Sequence, residues 1–274
     1  MLFASCESND LKMENGIGVF SVAEGRTVTF SKGNLQYTQS TNTWSFAENQ
    51  WDYIGTDNVM GGSVESDPKY GDKKKEGNSL ADKIDFFGWS TSSTNFGVNT
   101  STSESDYSGS FVDWGMNKIG NDAPNTWRTL TYDEWDYLLN NRLNASSLKG
   151  VSRVNGMNGL IFLPDNWVCP EGVTFKSGFH SDDSVEAYGQ YQTFTAAEWS
   201  KLEAAGAVFL PASGYRNGSD VYSVYYVQYD GAYWSATEYD SDDAYFLYFR
   251  SDEALMDNSI RYNAPSVRLV KDLQ

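Results

Sequence analysis

The chain has 274 residues, 40% of them hydrophobic and 15% aromatic, with a formal net charge of −17. That charge repels phosphate backbones and anionic headgroups, which argues against nucleic acid or a membrane surface as partner, and no apolar run is long enough to cross a bilayer. Two cysteines (Cys6 and Cys169) exclude a disulfide framework, and a single histidine, His180, excludes multi-histidine zinc and iron sites.

Residues 1–15 read as a polar tether. Strands are predicted at Gly18–Val22, Thr27–Phe30, Leu35–Tyr37 and Trp44–Phe46, with turns at Gly25-Arg26 and Ser31–Asn34. Trp51–Gly55 follows closely. Residues 56–83, including Lys73-Lys74-Lys75, read as a solvated surface loop, and residues 90–110 as a second loop. Between them Ile84–Trp89 is an aromatic anchor, and Phe111–Gly115 is another.

Two helices are expected. Thr131-Tyr132-Asp133-Glu134 is a capping box, in which the threonine oxygen accepts from a free backbone amide and the glutamate reaches back. Trp135, Leu138 and Leu139 then share one face. Thr195-Ala196-Ala197-Glu198 repeats the device ahead of Trp199, Leu202 and Ala205, and Gly206 supplies the left-handed C-cap. Gly159–Pro164 and Ala207–Pro211 are buried strands ended by proline. Further strands are expected at Tyr222–Val227, Ala232–Ser235, Ala244–Phe249 and Val267–Val270. The class is α+β with much irregular structure.

The tail has its own composition. Ten of the 18 tyrosines fall between Tyr215 and Tyr262, with Asp, Ser and Asn filling the gaps. Tyrosine gives large contact area at low entropy cost, and Ser and Asn give adaptable hydrogen bonds, as in antibody paratopes. The tail therefore reads as a recognition surface, the alternative being a tyrosine-rich sheet that packs on itself.

Trp127-Arg128-Thr129-Leu130-Thr131, followed by Glu134-Trp135, resembles an element of formylglycine-generating-enzyme-like proteins. Tyr233-Trp234-Ser235-Ala236-Thr237 and Ser266-Val267-Arg268-Leu269-Val270 resemble the closing elements of that superfamily. The resemblance covers about residues 110–271. It implies a C-type-lectin-like fold with two helices, a small mixed or antiparallel sheet and long loops. The segments Phe30–Tyr37 and Trp51–Gly55 resemble surface proteins of gut bacteria that share this architecture, an N-terminal β extension included. Within the superfamily the tail is most similar to variable proteins of diversity-generating retroelements, in which adenine mutagenesis scatters Asn codons to Tyr, Asp, Ser and others. The division implied is a tether over 1–15, a β-rich extension over 16–110 and the lectin-like domain over 111–274, its variable region at about 215–265. Met1–Cys6 resembles the end of a lipoprotein signal, which implies lipidation at Cys6 and display at the cell surface.

In this reading Tyr222, Tyr225, Tyr226, Tyr229, Tyr239, Tyr245, Tyr248 and Tyr262 are aromatic anchors. Ser241, Asp242, Asp243, Arg250, Asp257, Asn258 and Arg261 are the adaptable polar contacts. Trp234, Glu238, Glu253 and Met256 cannot be reached from the mutable codon, so they belong to the frame, as does Arg268. Side chains alternate along Ala244–Phe249, and Phe246 and Phe249 are expected to point inward, which strict alternation forbids without a bulge. No cofactor and no metal is expected. Asp240–Asp243 is suggestive of calcium, but Tyr245 and Ser251 stand where a calcium loop has Gly and Glu. An oxidase of the superfamily needs a cysteine pair, and none follows Cys169, which is expected to be a buried inert thiol. His180 is expected in an exposed loop, and Arg128 is expected to tie the helix start to a carboxylate or carbonyl. The ligand is an unknown protein or glycan; the alternative function is a fixed-specificity adhesin or glycan-binding domain.

Overall fold

The structure is a computed structural model that describes residues 18–54, 64–66, 73–75, 82–99, 101–216 and 223–273. It is an α+β protein with three α-helices and several small sheets among the described residues. In chain order the first strands are β1 (Phe20–Ala23), β2 (Arg26–Phe30), β3 (Leu35–Thr38), β4 (Thr43–Phe46), β5 (Val64–Ser66), β6 (Lys73–Lys75) and β7 (Lys83–Ile84). Helix α1 (Tyr132–Asp136) runs on as a π-turn to Asn141 and is followed by β8 (Lys149–Val154) and β9 (Met157–Phe162). Next come α2 (Val185–Tyr191), β10 (Thr193–Phe194), α3 (Ala196–Ala204), β11 (Val208–Pro211), β12 (Tyr215–Arg216) and β13 (Ser223–Tyr225). The chain ends with β14 (Gly231–Glu238), β15 (Asp243–Phe249), β16 (Ala254–Ile260) and β17 (Val270–Leu273).

Both capping boxes form. Thr131 accepts from the Glu134 amide at 3.3 Å while Glu134 accepts from the Thr131 amide at 3.0 Å. Thr195 and Glu198 make the same exchange ahead of α3. A third helix, α2, lies between the two expected. Its cap is Ser184, which accepts from the Ala187 amide at 3.2 Å, and a mid-helix glycine, Gly189, weakens its signal in the sequence.

The sheets correct other expectations. Lys73–Lys75 is a strand, paired with β5 on one side and β13 on the other. β16 is a strand where none was expected: its Asp257-Asn258-Ser259 triplet carries low strand propensity, but it is held by a full seven-residue register with β15. Ser266 makes isolated bridges to Phe86 and Tyr233, and the final strand begins only at Val270.

β17 pairs with β2, Asp272 opposite Val28, so the end of the chain closes onto its beginning. The sheet β14-β15-β16 stands across the middle of the molecule and is covered on both faces. On one face Tyr233, Leu247 and Phe249 join Phe20, Trp135, Val151 and Leu160 in the first core. On the other, Ala232, Trp234 and Phe246 join Leu35, Trp44, Trp89 and Trp114 in the second. Residues before 110 and residues after it thus share both cores. This also resolves the alternation in β15. Phe246 and Phe249 are both buried, on opposite faces, in an unbroken register with Trp234 and Gly231. No bulge is needed between them, because each face has a core of its own. Gly231 is required there, since a Cβ would lie 1.9 Å from the Phe249 ring.

Cys169 is exposed rather than buried. It sits in the irregular Asn166–Pro170 connection, where Val168 is also exposed, so the neighbouring Trp167 does not shield it. His180 is half-buried rather than exposed: its ring edge packs on Tyr191 with centroids 6.4 Å apart, and its Nδ1 accepts from the Asp182 amide at 2.9 Å.

Candidate ligand-binding face

The alternation of β14, β15 and β16 decides which tail residues share a face. Cross-strand neighbours are Ala232 with Tyr248 and Trp234 with Phe246, then Phe246 with Asp257 and Ala244 with Ser259. Side chains of such pairs project to the same side. These residues therefore lie on the second-core side of the sheet. Their outer part, together with Tyr215, Tyr226, Tyr229, Asp230, Arg250 and Pro265, lines a cavity of about 450 Å³. That size suits a small-molecule or side-chain site.

The tyrosine wall is a ladder of rings. Tyr215 stacks on Tyr226 at 5.9 Å, Tyr225 lies 6.2 Å from Tyr226, and Tyr226 lies 6.0 Å from Tyr229. The loop that carries it is held firmly. Tyr226 and Gln228 both have positive φ, 60° and 70°, a conformation uncommon for residues other than glycine. The buried Asn158 of β9 clamps it: its amide nitrogen donates to Gln228 Oε1 and its Nδ2 to the Gln228 carbonyl, each at 2.8 Å. From α2, the Tyr188 hydroxyl donates to the Tyr229 carbonyl at 2.8 Å. Gly214, at φ 70°, leaves room for the Tyr225 carbonyl, which a Cβ would meet at 2.0 Å. Strain of this kind persists only where surrounding contacts over-determine it.

Charge in the cavity is arranged around one cation. Arg250 Nη1 donates to Asp183 at 2.9 Å, Nη2 bonds Glu253, and Asp252 stands 3.6 Å from Nε. The same guanidinium lies 5.7 Å from the centroid of the Tyr248 ring. The Tyr229 hydroxyl donates to Asp183 at 2.6 Å, and the Tyr248 phenol shares the cavity with Asp230. Burial, reinforced by these carboxylates, holds both phenols well above the ordinary tyrosine range. Burial also raises the Asp252 carboxyl, against the pull of Arg250 and with the push of Asp183.

Of the expected contact residues, Tyr226, Tyr229, Tyr248, Arg250 and Asp257 line this cavity, and Tyr225 continues the ring ladder beside it. Tyr222 and Cys6 lie outside the described residues. Tyr239, Ser241, Asp242 and Asp243 are elsewhere, at the β14–β15 hairpin, where Asp240 accepts from the Asp242 and Asp243 amides at 2.9 and 2.8 Å. Tyr245 faces the helix side of the sheet, 4.4 Å from the Tyr132 ring and 5.2 Å from Tyr239, with Asn258 as its cross-strand neighbour. One-residue steps along a strand separate this second patch from the cavity. Tyr262 is half-buried in the turn after β16.

Arg261 is a correction. It is 3% exposed, lies 4.4 Å from the Trp89 centroid, and donates to the carbonyls of Tyr107 at 3.3 Å and Gly109 at 3.2 Å. It also bonds the Asp240 carbonyl and, at 3.2 Å, Glu238. It fastens the hairpin to the body of the protein and presents nothing to solvent. The frame residues sit as follows. Trp234 and Arg268 are buried, Arg268 donating to the Phe209 carbonyl at 2.6 Å and the Ser31 carbonyl at 3.2 Å. Met256 packs against the first core. Glu238 is exposed, and its frame contact is Arg261. Sequence reasoning missed Tyr215, Asp230 and Ser259 as cavity residues. The tyrosine count covered Tyr215, but only the β16 register reveals Ser259.

Among the described residues no group of three or more His, Cys, Asp or Glu is placed to hold a metal ion, and no helix is long and apolar enough to cross a membrane. Residues 181–270 match the family model described as a domain of unknown function (DUF8237). That span contains every residue lining the cavity. Neither the curated proteins nor the solved structures contain a match to the chain.

Proposed function

We propose that the chain is a ligand-binding protein whose recognition site is the tyrosine-lined cavity above β14, β15 and β16. The observation that carries this is the convergence of Tyr215, Tyr226, Tyr229 and Tyr248 on one concave site, mounted on a loop held by buried Asn158. Large, stiff aromatic side chains on a fixed backbone lose little entropy on binding. The motifs Tyr233–Thr237 and Ser266–Val270 support placing it among C-type-lectin-like proteins of the formylglycine-generating-enzyme-like superfamily. The interspersed Tyr, Asp, Ser and Asn support reading it as the variable protein of a diversity-generating retroelement. Display at the cell surface by lipidation of Cys6 belongs to the same proposal, and the ligand is then a protein or glycan in the surroundings. Catalysis has no part in it.

The test selects ligands from a displayed random peptide library against the immobilised full chain. Tyr226→Ala, Tyr229→Ala and Tyr248→Ala should each weaken the recovered ligands about 10-fold or more, as truncated aromatic hot spots do, with little change in unfolding temperature. Binding of every recovered ligand untouched by all three overturns the site. Diversification is tested in neighbouring DNA: a reverse transcriptase gene and a near-repeat of the tail coding sequence differing only at adenines are expected.

A second reading, fixed glycan binding, is favoured by a separate cleft of about 570 Å³ lined by Tyr37, Gln39, Asn42, Asn95, Asn99 and Asn117, among others, and by no charged residue. The oxygens of Asn42, Asn95 and Asn99 accept from the Tyr37 hydroxyl, the Gly97 amide and the Ser101 amide. Their amide NH₂ groups therefore remain as donors for neutral hydroxyls.

A further inference from the structure

We infer that the tyrosine cavity takes a cationic side chain, the guanidinium or ammonium of an arginine or lysine in a protein ligand. The inference deepens the proposed function and rests on it. Its first ground is charge. Asp230 and Asp257 line the cavity, and Asp183, Asp252 and Glu253 surround the one lining cation, Arg250. Five carboxylates thus face one guanidinium that is already engaged by three of them. An anionic ligand would have to displace those partners, whereas a cation meets a site with negative charge in excess.

The second ground is the walls. Ring faces attract cations through their quadrupole, and more strongly where the site is desolvated. Four tyrosines line one concave site, and one of them, Tyr248, already lies under a guanidinium, that of Arg250. The third is placement. Asp230 is 4% exposed and lines the cavity beside Tyr248, while Asp257 is exposed on β16. One carboxylate therefore lies at the base of the site and one at its rim. A cation moving inward passes from a solvated charge to a poorly solvated one, where attraction is stronger. The net charge of −17 speeds the approach of basic partners but selects no site.

The experiment titrates the full chain with a fluorescent Gly/Ser peptide bearing two arginines, and with its citrulline counterpart, which keeps the shape and removes the charge. The arginine peptide should bind at least about 10-fold tighter. Asp257→Asn, an exposed substitution that keeps the fold, should remove most of that difference, as should Tyr248→Ala, while Glu171→Gln outside the cavity leaves it intact. Unfolding curves confirm that each variant is folded. Equal binding of the two peptides overturns the inference, and so does an equal loss for Asp257→Asn and Glu171→Gln, which would mark diffuse attraction to an acidic surface. If the library ligands still depend on Tyr226, Tyr229 and Tyr248 in that event, the binding site stands and only its preference for cations falls. If neither set of ligands depends on the tyrosines, both fall together.

Discussion

Trp234→Ala should destabilise the protein by about 3–5 kcal/mol, the range for a large aromatic removed from a packed core, as read from the denaturant midpoint at constant m-value. Trp234 is fully buried. Its indole nitrogen donates to the Phe87 carbonyl at 2.7 Å, and its ring meets Phe246 edge-on at 6.1 Å. The truncation opens a cavity between the central sheet and the N-terminal aromatic cluster, and it leaves a buried carbonyl without its donor, which adds to the cost. The contrast lies two residues away across the ladder. Tyr248 shares the sheet face but reaches the ligand cavity, so Tyr248→Ala should alter binding far more than stability. Trp234→Phe should recover part of the loss. A Trp234→Ala midpoint within error of the parent would show that the indole contributes nothing to the second core's stability.

Glu134→Ala should cost about 2–4 kcal/mol, well beyond the ~1 kcal/mol of an ordinary cap. The carboxylate is nearly buried. It accepts from Arg128 Nη1 at 2.7 Å and Nη2 at 2.9 Å, from Arg26 at 2.9 Å and from the Thr131 amide at 3.0 Å. Arg128 also bonds Asp272 at 2.7 Å, so one glutamate secures the helix start, β2 and β17. Breaking a buried pair from one side costs ~3–5 kcal/mol, and the exposure of Arg26 and partial exposure of Arg128 reduce that figure here. Glu198, in the sister motif ahead of α3, is half-buried and its carboxylate bonds only Thr195 among the described residues, and Glu198→Ala should shift the midpoint much less. Equal shifts for the two would mean that the arginine cluster contributes nothing beyond the cap.

Asp272 extends this to pH. The hydrogen bond from Arg128 holds its carboxyl below the ordinary aspartate range. A lowered folded-state value means that the contribution is complete above the unfolded value of roughly 4 and is lost as pH falls through the folded value. Asp272→Asn should therefore flatten the acid limb of the stability profile and leave the neutral plateau nearly level.

The capping boxes were legible because they are local: four residues carry their own geometry. Strands β14 and β15 were legible through their aromatic runs, and Arg128 through its place ahead of a capped helix. The twin helices were therefore found and α2 was not, since a serine cap and a mid-helix glycine give a weak pattern. β16 was illegible for a different reason. Ala-Leu-Met-Asp-Asn-Ser-Ile has little strand preference, and only its partner β15 makes it one. The site divided in the same way. Composition placed Tyr245 and Tyr248 in one set of contact residues, and only the register separates them onto two faces of the sheet. Arg261 was misplaced because a sequence does not show that the carbonyls of Tyr107, Gly109, Asp240 and Asp243 and a tryptophan ring converge on a guanidinium.

The pairing of β2 with β17 has a kinetic consequence. Its contacts join residues at opposite ends of the chain, from Val28 opposite Asp272 to Phe30 opposite Val270. Closing so long a loop carries an entropy cost that only the completed core offsets, and non-local pairing of this kind slows folding. During synthesis β2 has only β1 as a partner until β17 has been made. Folding of β2 is in that sense decided by a strand far downstream of it in the sequence.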